Sequence, residues 1–343
     1  MVRHPFRALY ACSLVILLFS MGCAAQPTKP YQYFRVGSAQ DAVTQPQAGF
    51  ALMGGGSDLD EAFRWLCERA HGGDFLILRA AGTDAYNPYV QPLCKLNSVA
   101  TLVLPTREAA MDPFVAKTVA EAEAIFIAGG DQANYIRYWT GTPVQEGINA
   151  AIKRGVPLGG TSAGLAVMGE WAYSAEGDKP DDPNLDSKLA LSDPMGPRVT
   201  LVHGFLEIPV LKGIITDSHF VKRDRMVRLL VFLFRLNEPG GKEIPPPSFP
   251  IRGIGIEEQA AVLLEPDGDA RVVGVGGAYF AEQVFGGFVQ KLSDRLTGLK
   301  VIVQKVKTGG WFNLKQWNGD AVSYELAIHG RKVASSQAGG SQY

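Results

Sequence analysis

Five short, continuously apolar runs constrain this chain most: Phe50–Met53, Phe75–Leu78, Val99–Leu104, Ala124–Ala128 and Val156–Leu158. Runs of that length, without the polar alternation of a half-exposed strand, belong to parallel strands covered on both faces. Between them, Asp58–Ala70 sets Leu59, Ala62, Phe63, Leu66 and Ala70 on one helical face, and Val144–Arg154 forms a second amphipathic segment. The fold class read from this alternation is α/β, a doubly wound, mostly parallel sheet with helices on both faces. In such sheets the ligand crevice lies beyond the carboxyl ends of the strands.

Three strand ends carry unusual residues. Gly54-Gly55-Gly56 follows the first run; it lacks the G-x-G-x-x-G spacing and the Walker lysine of a nucleotide site, so a tight turn is the better reading. Gly129-Gly130-Asp131-Gln132 follows the fourth, where backbone N–H groups can approach a substrate oxygen. After the fifth comes Gly160-Thr161-Ser162-Ala163-Gly164, a G-x-S-x-G pattern that raises a serine hydroxyl on a sharp strand-to-helix turn. The alternative is a plain Gly/Ser-rich turn.

A serine nucleophile needs a base, most often histidine, and a group to orient it. Of five histidines, His4 lies in an N-terminal leader and His71 at a helix end, leaving His203, His219 and His329. His219 follows the strand-like Ile214–Asp217 and opens a helix containing Arg223, Arg225 and Arg228, so it occupies the same kind of junction as Ser162. Downstream, Ile254–Ile256 runs toward the crevice and ends in Glu257-Glu258, adjacent carboxylates on opposite sides of the backbone. Spacing alone leaves open which of the two orients the imidazole.

The blocks Gly129–Gln132, Gly160–Gly164, Asp217-Ser218-His219-Phe220 with the three arginines, and Gly255–Glu258 occur in the order seen in cyanophycinases. The region from Gly49 to Gln290 therefore resembles these serine peptidases, related to dipeptidase E and similar in fold to class I glutamine amidotransferase domains. The resemblance implies Ser162 as nucleophile, His219 as base and Glu258 as acid. It also implies substrate contacts from Gln132 and the arginines Arg223, Arg225 and Arg228, to which Asp217 is added; independently, the backbone N–H groups of Ala163 and of Gly130 or Asp131 are expected to form the oxyanion hole. The resemblance implies a substrate that is an aspartyl-containing peptide; the chemistry requires no cofactor, and neither Cys67 nor Cys94 belongs to a C-x-x-C pair or a His/Cys cluster that would support a metal. Ser218 stands where the family usually has glutamine, and Glu257 where it has aspartate.

The remainder bounds the setting. Arg3 and Arg7 precede an apolar run, Ala8–Phe19, too short to span a bilayer, which needs about 20 residues, and so read as a secretory signal over 1–22. Gly22-Cys23 resembles a lipoprotein cleavage site with Cys23 as the lipid acceptor; ordinary cleavage near Ala24 or Ala25 is the alternative. Residues 23–48 read as a tether, 49–290 as the α/β domain, and 291–343 as a β-rich extension with a disordered tail. An extracytoplasmic protein is expected, anchored to a bacterial membrane through Cys23 or free after cleavage. Cys67 and Cys94 are then either a disulfide pair or two buried thiols. The net charge of −1 gives no support to nucleic acid as partner; an oligomer is compatible with the sequence. Asp178–Pro197, polar and broken by prolines, reads as a lid over the site. In the extension, Trp311 and Trp317 are core residues or a binding surface. Two rival readings remain: an α/β-hydrolase esterase, whose order of residues requires His329 as base, and a binding protein that keeps the fold without catalysis.

Overall fold

A computed structural model of the protein describes residue 1 and residues 29–237, 251–284 and 296–343. The leader, Cys23 and the junction at 290/291 lie outside the described residues.

The apolar runs form strands. β1 (Gln32–Gly37), β2 (Phe50–Met53), β3 (Asp74–Arg79), β4 (Ser98–Val103), β5 (Ala124–Ile127) and β6 (Leu158–Thr161) are followed by β7 (Trp171–Tyr173), β8 (Leu201–His203), β9 (Ile214–Asp217) and β10 (Arg252–Ile256). Then come β11 (Ala260–Leu264), β12 (Asp269–Gly274), β13 (Gly277–Val284), β14 (Lys300–Lys307), β15 (Trp311–Asn313), β16 (Asn318–Gly319), β17 (Ala321–His329) and β18 (Lys332–Ser335). The α-helices are α1 (Asp60–Arg69), α2 (Tyr86–Val90), α3 (Arg107–Ala110), α4 (Pro113–Ala120), α5 (Gln132–Trp139), α6 (Pro143–Lys153), α7 (Ala163–Ala166), α8 (Ser187–Ser192) and α9 (Met226–Asn237).

The α/β class holds, but the strands divide between two mixed sheets. The first runs β1-β4-β3-β5-β6-β2-β11-β12-β15-β16, with β4, β3, β5, β6 and β2 parallel and the flanking strands antiparallel. Alternate residues of its parallel strands enter different clusters. Met53, Phe75, Ile77 and Phe126 pack with Phe63 and Leu66 of α1, whereas Leu52, Leu76, Leu78 and Ile127 pack with Val115 of α4 and Val144 and Ile148 of α6. The second sheet runs β18-β17-β14-β13-β10-β9-β7-β8 and buries Ile215, Tyr279, Val301 and Leu326 against α9. Its other face contributes Ile254, Ile256, Phe280 and Val306 to the same core as Leu52, Val262 and Phe312 of the first sheet. The strands that carry Asp217 and Gly255 thus stand in a different sheet from the strand before Ser162.

Several expectations are corrected. The segment 23–48 is not all tether: Gln32–Gly37 pairs antiparallel with β4, because Tyr33, Phe34 and Val36 are strand formers and the edge of β4 offers free backbone groups. The extension is no appendage, since β14 pairs with β13 and β15 with β12, so it completes both sheets. Its tail is ordered: Ser336 N–H bonds Glu325 O at 2.9 Å, and Tyr343 packs into the second core. Asp178–Pro197 is built around α8, and Asp178 pairs with Arg198 at 2.6 Å. Trp317 is buried at 6% exposure, as a core residue should be, while Trp311 is 48% exposed. Cys67 and Cys94 form a disulfide. Among the described residues no helix is long and apolar enough to cross a membrane.

Candidate active site

Ser162 closes β6 and opens α7 in a backbone conformation, φ 54° and ψ −114°, that side-chain-bearing residues rarely adopt. The turn is this sharp because its neighbours have no side chains. A Cβ on Gly164 would lie 2.0 Å from Ile127 O, and one on Gly160 2.7 Å from the Gly164 carbonyl carbon. The strand and turn follow the sequence reading. The helix is shorter than expected, a single turn of Ala163–Ala166, before the chain leaves it and enters β7 at Trp171.

His219 comes from the second sheet. It does not open a helix: α9 begins only at Met226, and His219 lies in the preceding turn with φ 48°. Its N–H bonds Gly54 O at 2.7 Å, tying it to the end of β2. Its Nε2 lies 2.6 Å from Ser162 Oγ, and its Nδ1 lies 2.6 Å from Glu258 Oε1. An ionised carboxylate can only accept, so Nδ1 carries the proton and Nε2 is left to accept from the serine hydroxyl. Burial holds the imidazole below its ordinary pKa; the Glu258 hydrogen bond opposes this, while Arg223 and Arg225 add to it. The imidazole is therefore neutral at pH 7, as a general base must be.

The choice between the two glutamates is made by the backbone. Glu257 turns to the other side, where its Oε1 accepts from Tyr279 O–H at 3.0 Å with Lys305 Nζ at 4.0 Å. Gln259, directly after Glu258, has φ 61°, so a left-handed residue stands at each of the three junctions that meet here.

The Gly54–Gly56 triplet, read as a tight turn, is the floor of this cluster. A Cβ on Gly55 would lie 2.5 Å from His219 Cε1, one on Gly54 1.9 Å from Glu257 O, and one on Gly56 3.1 Å from Glu258 Cβ. Sequence reasoning missed that role, although three glycines at a strand end were the available signal.

Gly129 flanks the serine, since a Cβ on it would sit 3.4 Å from Ser162 Cβ. Tyr135 O–H donates to Ala128 O at 2.8 Å and to Gly129 O at 3.2 Å and so fixes this strand end, from which Gly130 and Asp131 follow. The Asp131 carboxylate is used as a helix cap, accepting from Ala133 N–H at 2.9 Å, so only its backbone is free for an oxyanion. Gln132 is half-buried at the first position of α5.

The expected substrate contacts from Asp217, Arg225 and Arg228 are corrected. Asp217 is 1% and Arg228 2% exposed; Arg228 Nε donates to Asp217 Oδ2 at 3.0 Å, its Nη2 to Oδ1, and its Nη1 to Leu185 O at 3.0 Å. Arg225 donates to Ser218 O and to Asn184 Oδ1, each at 2.8 Å, and is pushed down to about 9 by burial and by Arg228. Buried charges need such partners. The network fastens the 178–197 segment and α9 to β9. Arg223, which is exposed, alone of the three arginines faces solvent. Among the described residues no group of His, Cys, Asp or Glu could hold a metal ion.

A hydroxyl, an imidazole and a carboxylate in one hydrogen-bonded line, on an α/β framework, is the arrangement of a serine hydrolase. Residues 79–192 match the family model for Peptidase family S51. The chain is 33% identical over 161 residues to the cyanophycinase of Geminocystis herdmanii (strain PCC 6308), covering 46% of this chain and 48% of that protein. Cyanophycinase of Trichormus variabilis is 30% identical over 174 residues (50% and 48%), and that of Synechococcus elongatus 30% over 153 (44% and 39%). The chain thus spans about half the length or less of these curated relatives. A solved peptidase from an acI-B1 Actinobacterium covers 78% of this chain and 98% of its own at 18% identity and TM-score 0.49, too loose a likeness to carry weight. The sequence resemblance is borne out to that extent: residues 79–192 match the S51 peptidase model, and over about half its length the chain is similar to cyanophycinases.

Proposed function

We propose that the protein is a serine peptidase that cleaves an amide or isopeptide bond of an aspartyl-containing peptide. Ser162 is the nucleophile, His219 the base and Glu258 the residue that orients it. The continuous line from Ser162 Oγ through the His219 ring to Glu258 Oε1, both links 2.6 Å, carries this reading. His219 Nε2 takes the hydroxyl proton as Oγ attacks the carbonyl, then returns it to the leaving amine, and water resolves the acyl-enzyme. Backbone N–H groups of Ala163 and of Gly130 or Asp131 receive the oxyanion; losing one such donor typically costs about 10²–10³ in rate. Gln132 and Arg223 contact the substrate. We read the five parallel strands as the doubly wound, glutamine amidotransferase-like core that the resemblance implies.

The esterase reading requires His329, which is exposed at the end of β17, whereas His219 is the histidine bonded to Ser162, so the geometry favours the peptidase. We further propose that the protein is exported and lipidated at Cys23, a reading supported by the Cys67–Cys94 disulfide, since such bonds persist in oxidising compartments. A fluorophosphonate should label the wild type and not a folded Ser162→Ala variant, and β-linked aspartyl dipeptides and cyanophycin should be hydrolysed only by the former. Equal labelling of both proteins removes Ser162 from its role, and absence of labelling in either favours the binding-protein reading.

A further inference from the structure

Tyr343 lies far from Ser162 in sequence, yet its side chain reaches the turn that carries His219. Its hydroxyl donates to Asp224 Oδ1 at 2.9 Å and accepts from Met226 N–H at 3.0 Å, the first amide of α9. Helix N-termini leave such amides unpartnered, so Tyr343 acts as an external cap. Its ring meets Phe220 edge-on at 6.1 Å and Tyr279 edge-on at 5.9 Å. The segment is itself anchored, because Tyr324 O–H on β17 donates to Gln342 O at 2.8 Å and Gln337 Nε2 to Ser341 O at 2.9 Å.

The turn is closely bonded. Arg223 N–H reaches His219 O at 3.0 Å, Asp224 N–H reaches Val221 O at 3.0 Å, and Arg225 N–H reaches Phe220 O at 2.9 Å. His219 at one end and Asp224 near the other are both non-glycine residues in the left-handed region, with φ of 48° and 46°. Such conformations persist only where their surroundings over-determine them. On the His219 side, Gly54 O and the Glu258 carboxylate do so. On the Asp224 side the holding contacts are the Tyr343 hydroxyl and Ser187 N–H, which reaches Asp224 O at 2.7 Å.

From this geometry we infer that Tyr343 is a positioning residue for the reaction, bracing the 219–226 turn so that the His219 ring stays aligned between Ser162 and Glu258. It touches neither substrate nor reacting atoms and acts through the turn. The inference rests on the peptidase reading for its kinetic consequence, but not for its structural one.

The test is Tyr343→Phe, which keeps the ring packing and deletes only the hydroxyl. Loss of a hydrogen-bonding group that fixes geometry is expected to lower kcat about tenfold, with KM within about twofold and the fluorophosphonate labelling rate falling in step. In NMR spectra, the His219 ring protons should shift and the low-field Nδ1–H signal should weaken, whether or not a peptide substrate is cleaved. That measurement separates failure of the brace from failure of the peptidase reading. Asp224→Asn keeps an acceptor in a residue that tolerates the left-handed turn and should stay close to wild type. Unchanged kcat and His219 resonances in Tyr343→Phe overturn the inference. So does a fall in thermal stability with unchanged His219 resonances, which means a structural role alone.

Discussion

Ser162, His219 and Glu258 could each be nominated from the sequence, but not joined. Ser162 was legible because its flanking glycines report a sharp turn at a strand end. His219 emerged by elimination and by resemblance, and the choice of Glu258 over Glu257 rested on resemblance alone, since adjacent carboxylates are indistinguishable by spacing. The structure separates them through the turn at Gln259 and the Tyr279 hydroxyl that takes Glu257. Glu258→Gln should therefore lower kcat by roughly 10²–10⁴, whereas Glu257→Gln should stay within a few-fold; equal losses in steady-state assays would mean the wrong carboxylate. Because burial lowers the His219 pKa, the acid limb of kcat/KM should have its midpoint below 6.5, with activity gained as pH rises through it and the base loses its proton. A pH–rate profile on a neutral peptide checks this. Gly55→Ala should abolish activity while leaving a folded protein, as the added carbon meets the His219 ring at 2.5 Å and φ there is 95°; circular dichroism alongside the assay distinguishes the two.

At the scale of elements, periodicity located α1 and α6 and most of the parallel strands, because burial on both faces leaves a pattern that no loop imitates. The hairpin β11–β12 closes at Asp267-Gly268, a dipeptide suited to such turns. What failed were segments whose order comes from partners. β1 is a strand because the edge of β4 accepts it, and the 178–197 segment is held by Arg225 and Arg228 rather than by any pattern of its own. The turn before α9 imitates a helix in sequence, yet Asp224 at φ 46° breaks it. The Cys67–Cys94 bond closes a separation of 27 residues between α1 and the end of the α2 region. Replacing both cysteines with alanine should cost about 3–4 kcal/mol by the loop-entropy argument, read as a lower urea midpoint; no change would mean that the reduced chain is already constrained there.

The whole molecule is two sheets packed through a shared core, with the candidate site where their strand ends meet. Its stability also carries a pH signature away from that site. Glu123 accepts from Asp74 N–H at 2.8 Å, and burial pushes its carboxyl up to about 7 from an ordinary 4.5. The folded protein thus keeps a proton that the unfolded chain gives up. This contribution is complete below pH 4.5 and is lost as pH rises through about 7. Urea midpoints at pH 5 and pH 8 should differ in that direction, and Glu123→Gln should flatten the difference. The sequence by itself determined the α/β alternation, the serine turn and the order of the blocks, because each is local: periodicity, glycine geometry and chain order are properties of short windows. Only the tertiary structure decided that His219 follows a strand of the second sheet while Glu258 sits in the turn between β10 of that sheet and β11 of the first, that Asp217 and Arg228 are spent on each other, and that Tyr343 bonds the turn that carries His219. Those are matters of which distant groups share a buried space, and no short window holds both members of such a pair.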